Sequence, residues 1–423
     1  MKRKLISIIS IITFSVIIVG CSAEGSDSKD KVSLDLFNIK VETSKQLESL
    51  AEEYESENPE VDINITTVGG GQDAESALQS KFSSGEEPSI FLISGLSDVE
   101  KYQDKLLDVS EMESAKTAIE GTLEGVTLDD TPYGIPMNSE GYGWMINKDL
   151  FKQAGIDPDD ISSYDDFVES VKTLDDKKEE LGMDEVFAFT GKEDWVVSQF
   201  SAHFSAPEFN NDLNEVYNSD TIEYEYGDRM KEYVDLINEY SVQPIVSLEY
   251  SAAVEELFMN GKVAMVHQGN WIVPTLDSMD PSFSEEKLGI LPFYVDDDTE
   301  GKIAAGPPWY WAVNKTHDDE VVEESKKFID WMYTSEEGKR YITEEFGYIP
   351  SHEGFDLDEI SDPVSKEVYE YMMNEDVSVW AHNNHPDGWF SESLLPEFQK
   401  YVSGDIDWDE FKSNTRKKFE EMR

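Results

Sequence analysis

The stretch from Val32 to Ile93 limits what this chain can fold into more than any other. "VSLDLF" alternates apolar and polar residues with the period of a strand, and "TSKQLESLAEEYESENP" then carries Leu47, Leu50, Ala51 and Tyr54 at helical spacing. Thr43 and Gln46 stand at capping-box spacing and Pro59 lies just past the end, so the helix has a start and a stop. "VDINITTV" alternates again, Ala74 to Phe82 reads as a second amphipathic helix, and "PSIFLI" reads as a short buried strand. The order βαβαβ predicts a mainly parallel sheet with helices on its faces, because parallel neighbours need a crossover. Ligands then belong beyond the carboxyl ends of the strands, at Phe37-Asn38-Ile39-Lys40, Gly69-Gly70-Gly71 and Ser94 to Asp98. The triple glycine lacks the Lys-Ser/Thr of a phosphate-cradling loop and reads as a turn.

After "TPYGIP" the pattern restarts: a strand, a short helix ended by Gly155, and a helix introduced by Ser162, Ser163 and Asp165. The polar, glycine-bearing "PMNSEG" suits a crossing between two lobes. A helix at "SAAVEELFMNGK", a strand at "VAMVHQ" and a strand at "IAAGPPWYWAVN" follow. Val322, Ser325, Phe328, Ile329 and Met332 then mark a helix face that ends near Ser335 to Gly338. The absence of a fixed repeat disfavours a solenoid or propeller.

The single cysteine is Cys21, and it follows the basic Met1-Lys2-Arg3-Lys4 and the apolar run Leu5 to Val19. That run is too short for a mature membrane span and reads as a signal peptide. Gly20 before Cys21, with Ile18 and Val19 upstream, resembles the lipobox of bacterial lipoproteins, so Cys21 is expected to be a lipidated anchor. "SAEGSDSKDK" cannot bury a core and suits a tether. With no second cysteine, the exported domain must rest on a large apolar core and not on disulfides. About four hundred residues suffice for that and suggest two domains.

The net charge is -57. Such a field repels phosphate backbones, which disfavours nucleic acid as a partner. The acidity is spread along the chain, as adaptation to salt or to an alkaline exterior would leave it. Six scattered histidines make no HExxH or paired Cys/His spacing. "DDDTEG" opens like a calcium loop, but its twelfth position is Pro307 where a bidentate glutamate is needed, so it reads as a solvated turn. No GxSxG elbow exists, and ninety-one acidic residues offer so many chance pairs that a glycosidase pair carries no signal. Nine tryptophans and nineteen tyrosines are more telling. Trp144, Trp195, Trp271, Trp309, Trp311 and Trp389 follow glycine-bearing or turn-like stretches. Aromatic faces beside amides and carboxylates suit a pyranose, which has an apolar C–H face and a rim of hydroxyls.

Three segments together resemble the extracellular solute-binding proteins of carbohydrate ABC importers, the family that includes maltose-binding protein. They are "YGIPMNSEGYGWMINKDLFKQAGID", "FMNGKVAMVHQGNW" and "WAVNKTHDDEVVEESKKFIDWMYTSEEGKRYITEEFGYIP". The resemblance implies an α/β, periplasmic-binding-protein-like type II fold, with two α/β lobes around a cleft and hinge crossings near Pro136 to Ser139, near Ile303 to Gly306 and near Phe346. The expected division is residues 1–20 as signal peptide, 21–31 as lipidated cysteine and tether, 32–137 plus 305–345 as lobe one, and 138–304 plus 346–423 as lobe two. By the same resemblance Trp271 matches the stacking tryptophan, Glu140 a hydroxyl-binding carboxylate, and Trp195 with Glu193 a second aromatic-acid pair. Asp98 and Asn38 sit where first-lobe loops supply hydrogen bonds, and Trp389 falls where a late helix brings another ring. Tyr142 and Asn270, inside the same motifs, complete the set. "AGPPWYW" departs from the small residues many members carry, so Trp309 either reshapes the cleft or packs.

The function expected is a lipid-anchored receptor for a sugar, an oligosaccharide by the number of rings, delivered to the permease subunits of an ABC importer on the outer face of the membrane. It is expected to be a monomer without cofactor, metal or catalysis. The rivals are a surface glycoside hydrolase or lyase, and a peptide-binding or adhesive lipoprotein.

Overall fold

The strand β1 (Val32–Asn38) pairs in parallel with both β2 (Val61–Thr67) and β3 (Ile90–Ile93), as the βαβαβ order requires. The computed structural model describes residues 31–69, 74–296, 301–360 and 362–423. A hairpin of β4 (Thr127–Leu128) and β5 (Thr131–Pro132) precedes β6 (Ile135–Pro136) and the long β7 (Glu140–Asn147). Next come β8 (Met265–Gly269), β9 (Leu288–Leu291), β10 (Ile303–Gly306), β11 (Tyr310–Val313) and β12 (Val377–Ser378). Two five-stranded sheets result: one in the order β2-β1-β3-β11-β6, the other β12-β10-β7-β8 with β9 also on β7.

The central strands are covered on both faces, which explains why β3, β7, β8, β9 and β11 are buried along their whole length while β1 and the edge strand β2 keep polar positions. In β3, Ile90 and Leu92 pack with Leu47, Leu50, Phe328 and Ile329, while Phe91 and Ile93 pack with Leu78, Val99 and Tyr102. In β7 every residue is buried. Trp144 and Ile146 enter a large core with Phe187 and Phe293, and Met145 enters another with Val266 and Ile290.

The helix after β1 spans Ser44–Glu57, but the capping box with Gln46 does not form. The Thr43 hydroxyl shares a 2.7 Å hydrogen bond with the Tyr348 hydroxyl instead, tying the helix start to a distant segment. Ser163 does cap the helix Tyr164–Asp176, accepting from the Asp166 N–H. "SAAVEELFMNGK" forms a wide-turned helix over Ala252–Phe258. The single strand expected at "IAAGPPWYWAVN" is two, with β10 in the second sheet and β11 in the first. Pro307 and Pro308, which have no N–H to give a ladder, separate them. Residues 1–30, with the signal peptide, Cys21 and most of the tether, lie outside the described residues, as do Gly70, Gly71 and 297–300.

The sheets are joined side by side. The Met137 N–H donates to the Trp309 carbonyl at 2.9 Å, the Ser139 N–H to the Ile349 carbonyl at 2.8 Å, and the Ser139 and Ser351 hydroxyls share a 2.8 Å bond. Three chain passages therefore brace one another where the lobes meet.

Candidate functional site

Beyond the carboxyl end of β1 the chain turns on Asn38. Its amide donates to the Lys40 carbonyl at 3.0 Å and to the Thr67 hydroxyl at 3.2 Å, and its oxygen accepts from the Lys40 N–H at 3.0 Å. Asn38 is fully buried and shapes the loop. The turn aims Lys40 across to the first residue of β7. Its ammonium lies 2.7 Å from Glu140 and 2.9 Å from Glu42, and both Lys40 and Glu140 are buried. Burial alone pulls the Lys40 ammonium pKa down, but the Glu140 and Glu42 carboxylates outweigh it and the net displacement is upward. Lys40 therefore stays charged and couples the two lobes. Asn138 adds a hydrogen bond to Glu140 at 3.2 Å.

Glu140 and Glu42 line a cavity of about 340 Å³, together with Gln46 and Tyr348 from the first lobe and Asn270, Trp271 and Asp277 from the second. Trp271 can lie there because of Gly269. A Cβ at Gly269 would fall 2.3 Å from the indole Cζ3 and 2.4 Å from the Gly141 carbonyl oxygen, so glycine lets the indole fold back against its own strand. The indole N–H donates to the Gln268 side chain at 2.9 Å, which fixes the ring, and the residue stays half-buried. Asn270 spends its amide on the frame, accepting from the Gly141 N–H at 3.1 Å and donating to Ser365 at 2.9 Å.

Rings surround this indole. Its centroid is 6.1 Å from those of Tyr142 and Trp380 and 6.3 Å from that of Trp195. Trp195 in turn meets Tyr250 at 5.8 Å, and Glu193 accepts from the Tyr250 N–H at 3.4 Å. Tyr142 is fully buried, with its hydroxyl 3.4 Å from Nδ1 of His382. Burial pulls the His382 pKa down to about 3, so this ring is a neutral hydrogen-bonding group at ordinary pH.

A second cavity of about 220 Å³ also lies between the lobes, lined by Phe37, Asp98 and Trp309 on one side and Asp194, His382 and Phe390 on the other. Asp98 accepts from both the N–H and the hydroxyl of Ser94 at 2.8 Å. Half-buried aromatic faces, a buried ammonium-carboxylate pair and neutral imidazoles suit a guest with apolar C–H faces and many hydroxyls.

Residues 40–339 match the family model described as bacterial extracellular solute-binding protein. The chain belongs to that family. This solute-binding protein is 26% identical over 353 residues, 77% of each chain, to the multiple sugar-binding protein of Streptococcus mutans. Its structure is similar to that of the solute-binding protein RafE in complex with raffinose, with a TM-score of 0.75 at 19% identity, covering 93% of this chain and 100% of that one. It is also similar to a sugar transporter protein of Bacillus licheniformis in complex with stachyose, with a TM-score of 0.70 at 18% identity, covering 93% and 100%. Its own fold is accordingly the type II periplasmic-binding-protein-like one, two α/β lobes around a cleft.

In this solute-binding protein the expected residues divide into three groups. Trp271, Glu140 and Asn270 share the larger cavity, and Trp195, Glu193 and Tyr142 belong to the adjoining aromatic cluster. Asp98 and Trp309 meet in the second cavity. Asn38 and Trp389 reach neither: the Trp389 indole is fully buried, donates to the Thr415 carbonyl at 2.9 Å and packs on Phe419 at 5.3 Å. Lys40, Tyr250, Trp380 and His382 escape the sequence reading. Lys40 carries a faint signal, since it stands in a strand-end loop where ligands are expected. Trp380 and His382 sit in a stretch without periodicity.

Proposed function

We propose that this solute-binding protein is a lipid-anchored receptor that captures an oligosaccharide between its lobes and passes it intact to the permease of an ABC importer. The observation that carries this reading is the half-buried Trp271 indole beside the Lys40–Glu140 pair, in a cavity walled by both lobes. The indole offers a face for a pyranose, and the charged pair offers hydroxyls strong hydrogen bonds. The raffinose and stachyose bound by its structural relatives agree. Trp271→Ala is expected to cost about 1 to 3 kcal/mol of affinity, the loss of a large apolar contact, with the fold intact. Calorimetric titration with raffinose and stachyose reads this directly, and an unchanged dissociation constant would take Trp271 out of the site.

The strands and the bonds of Ser351, His352 and Glu353 to Ile119, Ser114, Pro136 and Thr117 support crossings at Pro136 to Ser139, just after Gly306 and after Phe355, with lobe one as residues 32–137 plus about 307–355. Closure of such lobes on a guest needs no chemistry, and recovery of the bound sugar unaltered after hours separates a receptor from a hydrolase or lyase. Anchoring rests on Cys21. Wild-type protein made with labelled palmitate is expected to carry the label and Cys21→Ser to lose it, because the thiol that holds the lipid is gone. A wild type without label, or a variant labelled as strongly, would count against a lipid anchor at Cys21.

A further inference from the structure

Beside the second cavity the lobes touch through main-chain and amide groups. The helix Leu96–Tyr102 of the first lobe meets the turn Ala381–Asn384 of the second. The Leu96 N–H donates to the Asn384 side-chain oxygen at 2.9 Å, and the Ser97 hydroxyl to the His385 carbonyl at 3.1 Å. The Asn383 amide donates to the Ser94 carbonyl at 3.1 Å and to the Pro308 carbonyl at 3.2 Å. Gly95 lies inside this seam. Its φ is -175°, extended backbone that any residue adopts, so its own conformation does not call for glycine. Its surroundings do. A Cβ at Gly95 would fall 2.6 Å from the Asn383 carbonyl oxygen and 3.0 Å from the Asn384 side-chain oxygen. The nearest atoms that exclude a side chain here all belong to the opposite lobe.

We infer that Gly95 is the residue that permits the lobes to close, and that Asn383 and Asn384 are the positioning residues that hold them closed over a ligand. The inference rests on the receptor reading for the identity of that ligand. Trp380 and His382 belong to the same turn as the two asparagines, and the Trp380 ring lies 6.1 Å from that of Trp271. A guest that settles against these rings fixes the turn that grips Ser94 and Leu96. The seam bonds exist only with the lobes together, so they lengthen the residence of the guest and leave its entry unchanged.

The test compares the full chain with its Gly95→Val and Asn384→Ala variants, using raffinose and stachyose as probes. Hydrogen exchange of the Leu96 amide reads closure, and stopped-flow tryptophan fluorescence reads release. With sugar, the wild type is expected to protect Leu96. Gly95→Val is expected to lose that protection, to bind at least tenfold more weakly through faster release, and to keep its sugar-free melting temperature. Asn384→Ala, which removes a bond without adding bulk, is expected to weaken binding less and through release alone. If Gly95→Val matches the wild type in Leu96 protection and release, or melts lower without sugar, the inference falls. If neither probe binds the wild type but Leu96 is protected there and unprotected in Gly95→Val, the seam stands and the receptor reading fails. If Leu96 exchanges alike in all three proteins, the seam fails whatever is bound.

Discussion

Lowering the pH from 7 to 5 is expected to remove the stability that the buried neutral histidines of this protein contribute. His203, His267, His382 and His385 are all buried around Tyr142 and the second lobe's core, and among the described residues no carboxylate pairs with any of them. Nε2 of His203 lies 3.3 Å from Nε2 of His267, an arrangement that accommodates one shared proton and not two charged rings. Burial pulls His267 and His382 down to about 3, and His203 and His385 well below their ordinary range, with neighbouring imidazoles adding to the effect at His203, His267 and His385. The sign follows from the unfolded chain, where each imidazole takes up a proton near pH 6.5. The contribution of these rings is therefore complete above about pH 7 and falls as the pH drops through 6.5, because their unfolded forms then bind more protons. His267 and His382, both held at about 3, each lose about 2 kcal/mol by pH 5, while Glu367, whose carboxyl burial raises to about 7, gains stability over the same range and offsets part of the loss. Urea denaturation at half-unit pH steps checks this. Between pH 7 and pH 5 His267→Phe should lose about 2 kcal/mol less than the wild type, and a variant with the same pH profile as the wild type would contradict the burial of a neutral imidazole there.

Replacing Lys40 by methionine is expected to cost about 3 to 5 kcal/mol. The ammonium is buried between Glu140 and Glu42, and removing it leaves the buried Glu140 carboxylate, in the wall of the cleft, with Asn138 as its remaining side-chain donor among the described residues. A surface lysine lost in this way would cost under about 1 kcal/mol, so the size of the effect separates the two situations. The pair also spans the lobes. The double variant Lys40→Met with Glu140→Gln should therefore lose less than the two single variants added together, by about 1 to 3 kcal/mol. Strict additivity in chemical denaturation would show that the two groups do not act on each other.

The features legible in the sequence were those that short stretches encode. The parallel arrangement of β1, β2 and β3 follows from alternating and helical periods within sixty residues. Trp271 and Glu140 lie in local signatures whose glycines and strand ends fix where the side chain goes. Lys40 shows why other features were not legible: its partner Glu140 is one hundred positions away, and a lone lysine looks the same paired or free. The tryptophans make the same point. Trp380 and Trp389 both stand in turn-like, polar surroundings. One ring packs at 4.9 Å from Tyr142 beside the cleft, while the other is sealed under Phe419 by a helix that arrives only at the chain end. The Thr43 hydroxyl, at capping spacing, is taken by Tyr348 from three hundred residues on. In each case a long-range partner outbid a local rule.

The most direct measurement is a crystal structure of the protein with a bound oligosaccharide. The account predicts a pyranose ring stacked on the exposed face of Trp271, with Glu140 within hydrogen-bond distance of its hydroxyls and both lobes in contact with one unbroken sugar chain. A sugar lodged elsewhere, with Trp271 and Glu140 untouched, or a cleaved one in the cleft, would contradict it.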